Sequence, residues 1–326
     1  MSRATATAQA HPNIAFIKYW GNRDDRLRLP VNGSVSMNLG ALTTTTKVTF
    51  DGSLRQDSLT INGAAEAAVA RVSSVLDEVR RIARIGARAR VESVADFPLG
   101  VGVASSAAAF SALALAASTA AGLSLSEGEV SRLARLGSGS ACRSVPGGFC
   151  EWRMGTGDAD SIAVSIADAD RWDLVDLIAI LSTTHKKVGS SAGHPGAATS
   201  PYQAARIAGA PGRIEGCREA IRTRDFARLA AISEEDSTLM HCVMMTQRPP
   251  LFYWEPASLA IMKAVPEWRL EGLRVFFTLD AGPTVHVLCS GEDANEAERR
   301  LRAVPGVNDL LRSGVGGPAR IVAAEF

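Results

Sequence analysis

The chain has 326 residues, 46% of them hydrophobic and 21% charged, with 35 basic residues against 34 acidic ones. Such a length and composition predict a globular protein of about two domains with an ordinary core. A net charge of +1 leaves no broad field to hold nucleic acid or an anionic membrane, so any anion must be met by a local site.

The opening MSRATATAQAHPN lacks the continuous apolar stretch of a secretory leader. The longest apolar run, residues 107–123, is alanine-rich and shorter than the ~20 residues a membrane span needs. Five cysteines (Cys142, Cys150, Cys217, Cys242, Cys289) form no CxxC pair and none lies at zinc spacing with a histidine. A cytoplasmic protein with reduced thiols is expected.

In chain order, the apolar stretch 13–20 reads as a buried strand with Lys18 in its middle. A lysine there must reach water or meet an anion. SVSMNL (34–39) and TTTTKVTF (43–50) follow as a β-rich pair. Val69, Val72, Leu76, Val79 and Ile82 step by three and four, as on one face of an amphipathic helix. RARVESV (88–94) returns to strand alternation.

A Pro/Gly loop then runs into a helix through DFPLGVGVASSAAAFSALALAAS. Small residues let backbone N–H groups approach a ligand, and the helix places its positive end on the same spot. Ser105 and Ser106 fall where hydroxyls could meet phosphate or a magnesium ion; the alternative is a plain turn with Ser105 as N-cap. Neither GxxxxGK[ST] nor GxGxxG is present.

A second helix (about 126–136) leads to GSGSACRS (137–144), where Arg143 suits bidentate capture of a carboxylate or phosphate, or is a surface arginine in a turn. LVDLIAIL (174–181) has the character of a fully buried strand. The Gly/Ser/Pro-rich segment 189–201 is the best boundary, dividing the chain into 1–188 and 189–326. Helices are predicted near 213–223 and 225–234, within a helical pattern reaching about 245. The tail reads as strand 274–279, a DAGP turn, strand 285–289, a charged helix near 292–303 and a strand near 319–324. The whole is α+β: a β-rich first half, then helices laid on a small sheet.

Asp280 closes an apolar strand. It either starts the turn or is a carboxylate poised to take a proton, with Lys18 as its cationic partner. The five histidines, His11, His185, His194, His241 and His286, are too scattered for a metal cluster, and the tryptophans show no stacking interval for nucleic acid.

Together, NIAFIKYWGNRDDRLRLPVNGSVSMNL, FPLGVGVASSAAAF, GSGSACRSVPGGFCEW, HKKVGSSAGH and LDAGPT, in this order over about residues 11–290, resemble the GHMP superfamily of small-molecule kinases. Within it they resemble the mevalonate diphosphate decarboxylase family. The resemblance implies a two-domain GHMP kinase-like fold with a ferredoxin-like C-terminal half, ATP and Mg2+ as cofactors, and a homodimer acting on a phosphorylated mevalonate.

It implies that Asp280 positions or deprotonates the 3-hydroxyl, that Lys18 holds the same region and the incoming phosphoryl group, and that Arg143 binds the C1 carboxylate. Gly102, Ala104, Ser105 and Ser106 would cradle the ATP phosphates, with Ser105 on the metal. Ser138 and Ser140 would line the substrate pocket, Asn13 would orient Arg143, and Tyr19 and Ser190 would meet the 5-phosphate end.

Two departures bear on the substrate. Asn22 stands where the diphosphate enzymes usually carry lysine, and Ser191 where some members carry an arginine. A terminal phosphate needs cationic partners, so the expected substrate is 5-phosphomevalonate, giving isopentenyl phosphate. The alternatives are mevalonate 5-diphosphate, a mevalonate 3-kinase that stops after phosphorylation, and a non-catalytic nucleotide-binding protein. Thr284, where asparagine is more usual, leaves Asp280 untouched.

Overall fold

Residues 44–51 and 88–95 alternate between buried and open side chains, the pattern of strands with one face on a core. They pair antiparallel, with Val48 opposite Val91. The computed structural model describes residues 4–67, 69–98, 103–182 and 188–325. These two strands are the middle of a six-stranded sheet ordered Arg320–Glu325, Ala4–Ala10, Thr44–Asp51, Arg88–Ala95, Ser58–Ile61, Ala64–Glu66. Its inner face packs on helices α1 (Ala70–Ala83), α2 (Ser105–Ala120) and α3 (Glu127–Gly137). Helix α2 is buried on nearly every side. Its small side chains let three helices and a sheet converge on the loop that precedes it.

A second sheet runs Ala163–Ala167, Phe149–Trp152, Ser34–Asn38, Asn13–Ile17. A third runs Val275–Thr278, Val285–Ser290, Leu174–Ile180, Asp309–Gly314. One core joins Phe16 and Val35 of the second sheet to Ile178 and Phe276 of the third, through Cys217 and Leu229. These last two lie on α5 (Gln203–Thr223) and α6 (Phe226–Thr246), which follow the short α4 (Ser190–Gly193). Helices α7 (Pro256–Leu270) and α8 (Ala294–Arg302) cover the other face of the third sheet. Covered on both faces, Leu174–Ile180 is buried along its whole length, as its unbroken apolar run predicts. Strands pass between the halves: Arg320–Glu325 pairs with Ala4–Ala10, and Leu174–Ile180 lies between Val285–Ser290 and Asp309–Gly314.

Some elements differ from expectation. The first strand, ATATAQA, buries alanines against its sheet, a signal too faint for hydrophobic periodicity. Helix α5 begins ten residues earlier than the pattern suggests and passes through Pro211. Helix α7 was not anticipated, and GSGSACRS holds a turn of 3-10 helix, Gly139–Ser144.

The strand carrying Lys18 stops at Ile17. The Lys18 N–H donates to Asp236 Oδ2 at 2.6 Å, and its carbonyl accepts from Arg206 Nη2 at 2.7 Å and Asn32 Nδ2 at 3.0 Å. Side chains thus take the place of ladder partners, and both polar backbone atoms of Lys18 are satisfied in the interior. None of the five cysteines is in a disulfide. Among the described residues no helix is long and apolar enough to cross a membrane.

Candidate active site

Lys18 and Asp280 meet where the second and third sheets come together. Lys18 is 1% exposed, and its Nζ donates to Asp280 Oδ1 at 2.7 Å. Asp280 ends the strand Val275–Thr278 two residues on, its side chain 31% open, and lines a cavity of about 250 Å³ that Lys18 also reaches. Burial pulls the Lys18 ammonium below the ordinary lysine range, against the opposing pull of Asp280. Burial alone would raise the Asp280 carboxyl. Lys18, His286 and Arg143 outweigh it and hold the group below the usual carboxylate value, so it is ionised at neutral pH. The pair has the form the sequence predicts, a carboxylate at a pocket kept charged by a buried cation.

Arg143 is 2% exposed and is not a surface arginine in a turn. Its Nε donates to Ser36 Oγ at 3.0 Å, Nη1 to Ser34 Oγ at 2.6 Å and Nη2 to Asn13 Oδ1 at 3.0 Å. Asn13 is itself fixed through Nδ2 to Ser144 Oγ (2.7 Å) and Ser140 O (3.1 Å). All three acceptors of the guanidinium are neutral. Among the described residues two of its five N–H donors have no partner, and Arg143 lines the cavity, where an anion could take them. A buried cation without a carboxylate partner is costly unless a ligand supplies the charge.

The turn before α2 places Ala104, Ser105 and Ser106 on the cavity wall with Ser138 and Ser140. Ser105 is not the N-cap. That position falls to Ala104, left-handed at φ 33°, with no side-chain cap on the helix. The first N–H groups of α2 therefore face the loop without a side-chain acceptor, which suits an anionic ligand. Ser106 Oγ lies 3.2 Å from Ser138 Oγ, linking this loop to the Arg143 segment. Gly102 lies outside the described residues. A second cavity of about 370 Å³ shares Ser105 and Ser106 and is walled by Leu59, Val72, Phe110 and Leu113.

The far end of the first cavity holds Tyr19, Ser190 and Ser191. The Tyr19 ring lies 4.7 Å from that of Trp152, edge to face, and 4.2 Å from that of His194. Gly139 permits this: a Cβ there would come within 2.5 Å of the Tyr19 ring. The Tyr19 hydroxyl donates to Asn22 Oδ1, and Asn22 Nδ2 donates to Asp25 Oδ1 at 2.8 Å. Asn22 does not line the cavity and is tied into this chain of bonds.

Sequence reasoning missed several residues here. Asp236 lies inside α6 and is fully buried, held by Arg213 Nε at 2.7 Å while it carries the Lys18 backbone. A lone acid in a helical stretch gave no sign of this. His194 lines the cavity, and its Nδ1 accepts from the Gly21 N–H at 2.9 Å. That bond leaves the proton on Nε2, which is 3.5 Å from Ser190 Oγ. Burial, then the charges of Arg28 and Arg206, push His194 down to about 3, so the ring is neutral. Arg28 and Arg71 complete the wall; Arg28 lies inside the first quoted motif without being singled out there, and Arg71 lies outside all of them.

The comparisons agree with this geometry. The model for the diphosphomevalonate decarboxylase-like N-terminal domain matches residues 10–163, and that for the mevalonate 5-diphosphate decarboxylase C-terminal domain matches residues 176–314. A diphosphomevalonate decarboxylase from Candida albicans is 37% identical over 99% of this chain and 96% of its own. A phosphomevalonate decarboxylase from Haloferax volcanii is 33% identical over 97% of both chains. Among solved structures, MDDEF in complex with MVAPP, AMPPCP and magnesium is 36% identical, with a TM-score of 0.91 over 98% of this chain and 99% of that one. The chain belongs to the mevalonate diphosphate decarboxylase family, with its GHMP-type α+β fold, and is an ATP-dependent lyase that decarboxylates a phosphorylated mevalonate.

Proposed function

We propose that the substrate is 5-phosphomevalonate and the product isopentenyl phosphate, with release of ADP, phosphate and CO2. The observation that carries this choice is Asn22. It is neutral, both ends of its amide are engaged by Tyr19 and Asp25, and Asp25 adds a negative charge beside the phosphate end. A second phosphate placed there would meet a carboxylate where a lysine would otherwise stand. Ser191 adds a hydroxyl at the same end but no charge.

ATP with Mg2+ fits the two joined cavities. Leu59, Val72, Phe110 and Leu113 offer an apolar wall for a base, and the uncapped start of α2 with Ser105 and Ser106 offers donors for its phosphates. When bound, the nucleotide supplies the phosphoryl group that turns a tertiary hydroxyl into a good leaving group.

Asp280 holds the 3-hydroxyl and takes its proton as that oxygen bonds to phosphorus. Lys18 keeps Asp280 ionised and faces the growing negative charge. As the C3–O bond breaks, phosphate leaves with the electron pair beside Lys18 and the α2 terminus. The C1–C2 electrons close the C2=C3 double bond, and the carboxylate departs as CO2. Arg143, with two N–H donors to spare, fixes that carboxylate until it leaves.

The 5-diphosphate is the second reading. It is favoured by the excess of cations on the cavity wall, where Lys18, Arg28, Arg71 and Arg143 face Asp280 as the one carboxylate among the described lining residues. The variant Asn22→Lys separates the two. It is expected to raise kcat/KM for the diphosphate relative to the monophosphate by about tenfold, the worth of one charge-assisted bond. An unchanged ratio would remove Asn22 from substrate choice.

A further inference from the structure

The phosphate end has a cation that the sequence pattern alone does not single out. The segment that follows Tyr19 folds into a small hairpin, Asn22–Asp24 against Leu29–Pro30, with Asn22 opposite Pro30. Position 22 and the turn at 25–28 therefore belong to one compact unit. The Leu27 N–H donates to Asp24 Oδ1 at 2.8 Å, which closes the turn. Arg28 follows with φ at 51°, a left-handed conformation that glycine or asparagine adopts with less strain. What arginine adds at this point is reach into the cavity, whose wall it forms with Tyr19, His194 and Ser190.

The guanidinium is anchored at one edge and free at the other. Its Nε donates to Leu136 O at 3.0 Å. The next carbonyl, Gly137 O, takes Nη2 and Nε of Arg71 at 2.7 and 3.1 Å. The last carbonyls of α3 are thus a seat for two arginines, at the helix end whose dipole favours cations. Neither Nη1 nor Nη2 of Arg28 has a partner among the described residues, and no described carboxylate lies within ion-pair distance of it. Its charge is felt at Tyr19, His194 and Arg71, which places it among the groups at this end of the cavity.

We infer that Arg28 is the specificity-determining cation for the substrate's 5-phosphate, which its Nη1–Nη2 edge meets from the turn of the hairpin. Anchoring Nε on Leu136 O fixes the fork's plane, so it meets phosphate oxygens in bidentate fashion where a lysine would offer a point charge. Asn22 is then free to hold Tyr19 in place. This rests on the reading that the substrate's phosphorylated end lies beside Tyr19.

The test is steady-state kinetics of Arg28→Ala and Arg28→Gln with 5-phosphomevalonate and with the 5-diphosphate, alongside the wild-type protein. The wild-type ratio between the two substrates decides the monophosphate reading by itself. The arginine is judged by variant against wild type on whichever substrate is better. The expected result is a KM raised about 10- to 100-fold with kcat within about threefold and an unchanged KM for ATP, the pattern of lost binding at one end of one ligand. Arg28→Gln keeps a polar side chain without the charge and should behave as Arg28→Ala does. A substrate KM within twofold of wild type overturns the assignment. So does a rise matched in the KM for ATP, which would mark Arg28 as a prop for α3.

Discussion

The two ends of the cavity are built on opposite principles. At the end proposed to carry the reaction, Lys18 and Arg143 are nearly sealed from solvent and held by named partners: Asp280, Asp236, Asn13, Ser34 and Ser36 each hold an assigned atom. At the phosphate end, Ser190 and Ser191 are exposed, Asn22 is bound to its neighbours, and Arg28 carries an open fork. Chemistry on a tertiary alcohol needs fixed charges in a dry place. Recognition of a solvated phosphate needs only a cation within reach, and more than one position of a hairpin can offer it. Substrate choice can therefore change while the reacting end stays as it is.

Substitutions should separate the two ends. Asp280→Asn removes the base and leaves the geometry near Lys18; turnover is expected to fall by ~10³-fold or more while ATP and substrate still bind, as calorimetry would show. Near-wild-type rates would take Asp280 out of the mechanism. Arg143→Ala is expected to lower kcat/KM on the order of 10²-fold through both terms, since the carboxylate loses charge-assisted bonds. An effect confined to KM would move Arg143 to a purely binding role.

Gly139→Ala tests the seam between the ends. Its added methyl meets the Tyr19 ring, so Tyr19 must shift, with an expected rise of about tenfold in substrate KM and a smaller change in kcat. Kinetics equal to wild type would show that the ring's position does not matter.

The smallest effect is on stability. His194 and His241 are buried and held neutral, pushed down to about 3 and about 4 from an ordinary 6.5. Their unfolded forms bind protons that the folded forms refuse. The stability they preserve is fully present above about pH 6.5 and is lost as pH falls towards those values. Urea denaturation should show a loss of about 2 kcal/mol per histidine at pH 5 relative to pH 7. A flat profile would contradict the neutral assignment.

Much of the reacting end was legible because it travels in contiguous motifs. Lys18 in an apolar run and Asp280 at a strand end are each anomalous by themselves, and a buried cation and a buried carboxylate demand each other. The seat of Arg143 was only partly visible. Asn13 could be tied to it, but Ser34 and Ser36 lie on an ordinary strand and reach it only through the pairing of Asn13–Ile17 with Ser34–Asn38. Asp236 was hidden because its partners, the Lys18 N–H and Arg213, are remote in sequence. Arg28 was hidden for a different reason: an arginine in a charged hairpin looks like solvent-facing surface until the end of α3 is placed beneath it. On the scale of the fold, hydrophobic periodicity found helix α1 and alternation the strand Arg88–Ala95, while the Pro/Gly loop marked the start of α2. The alanine-based first strand and the proline-bearing start of α5 do not carry that pattern.

The most direct test is one assay that counts ADP and CO2 with mevalonate, 5-phosphomevalonate and mevalonate 5-diphosphate side by side. Equal yields of ADP and CO2 and the highest kcat/KM with 5-phosphomevalonate are expected. A much higher kcat/KM with the diphosphate, or ADP formed without CO2, would contradict that expectation.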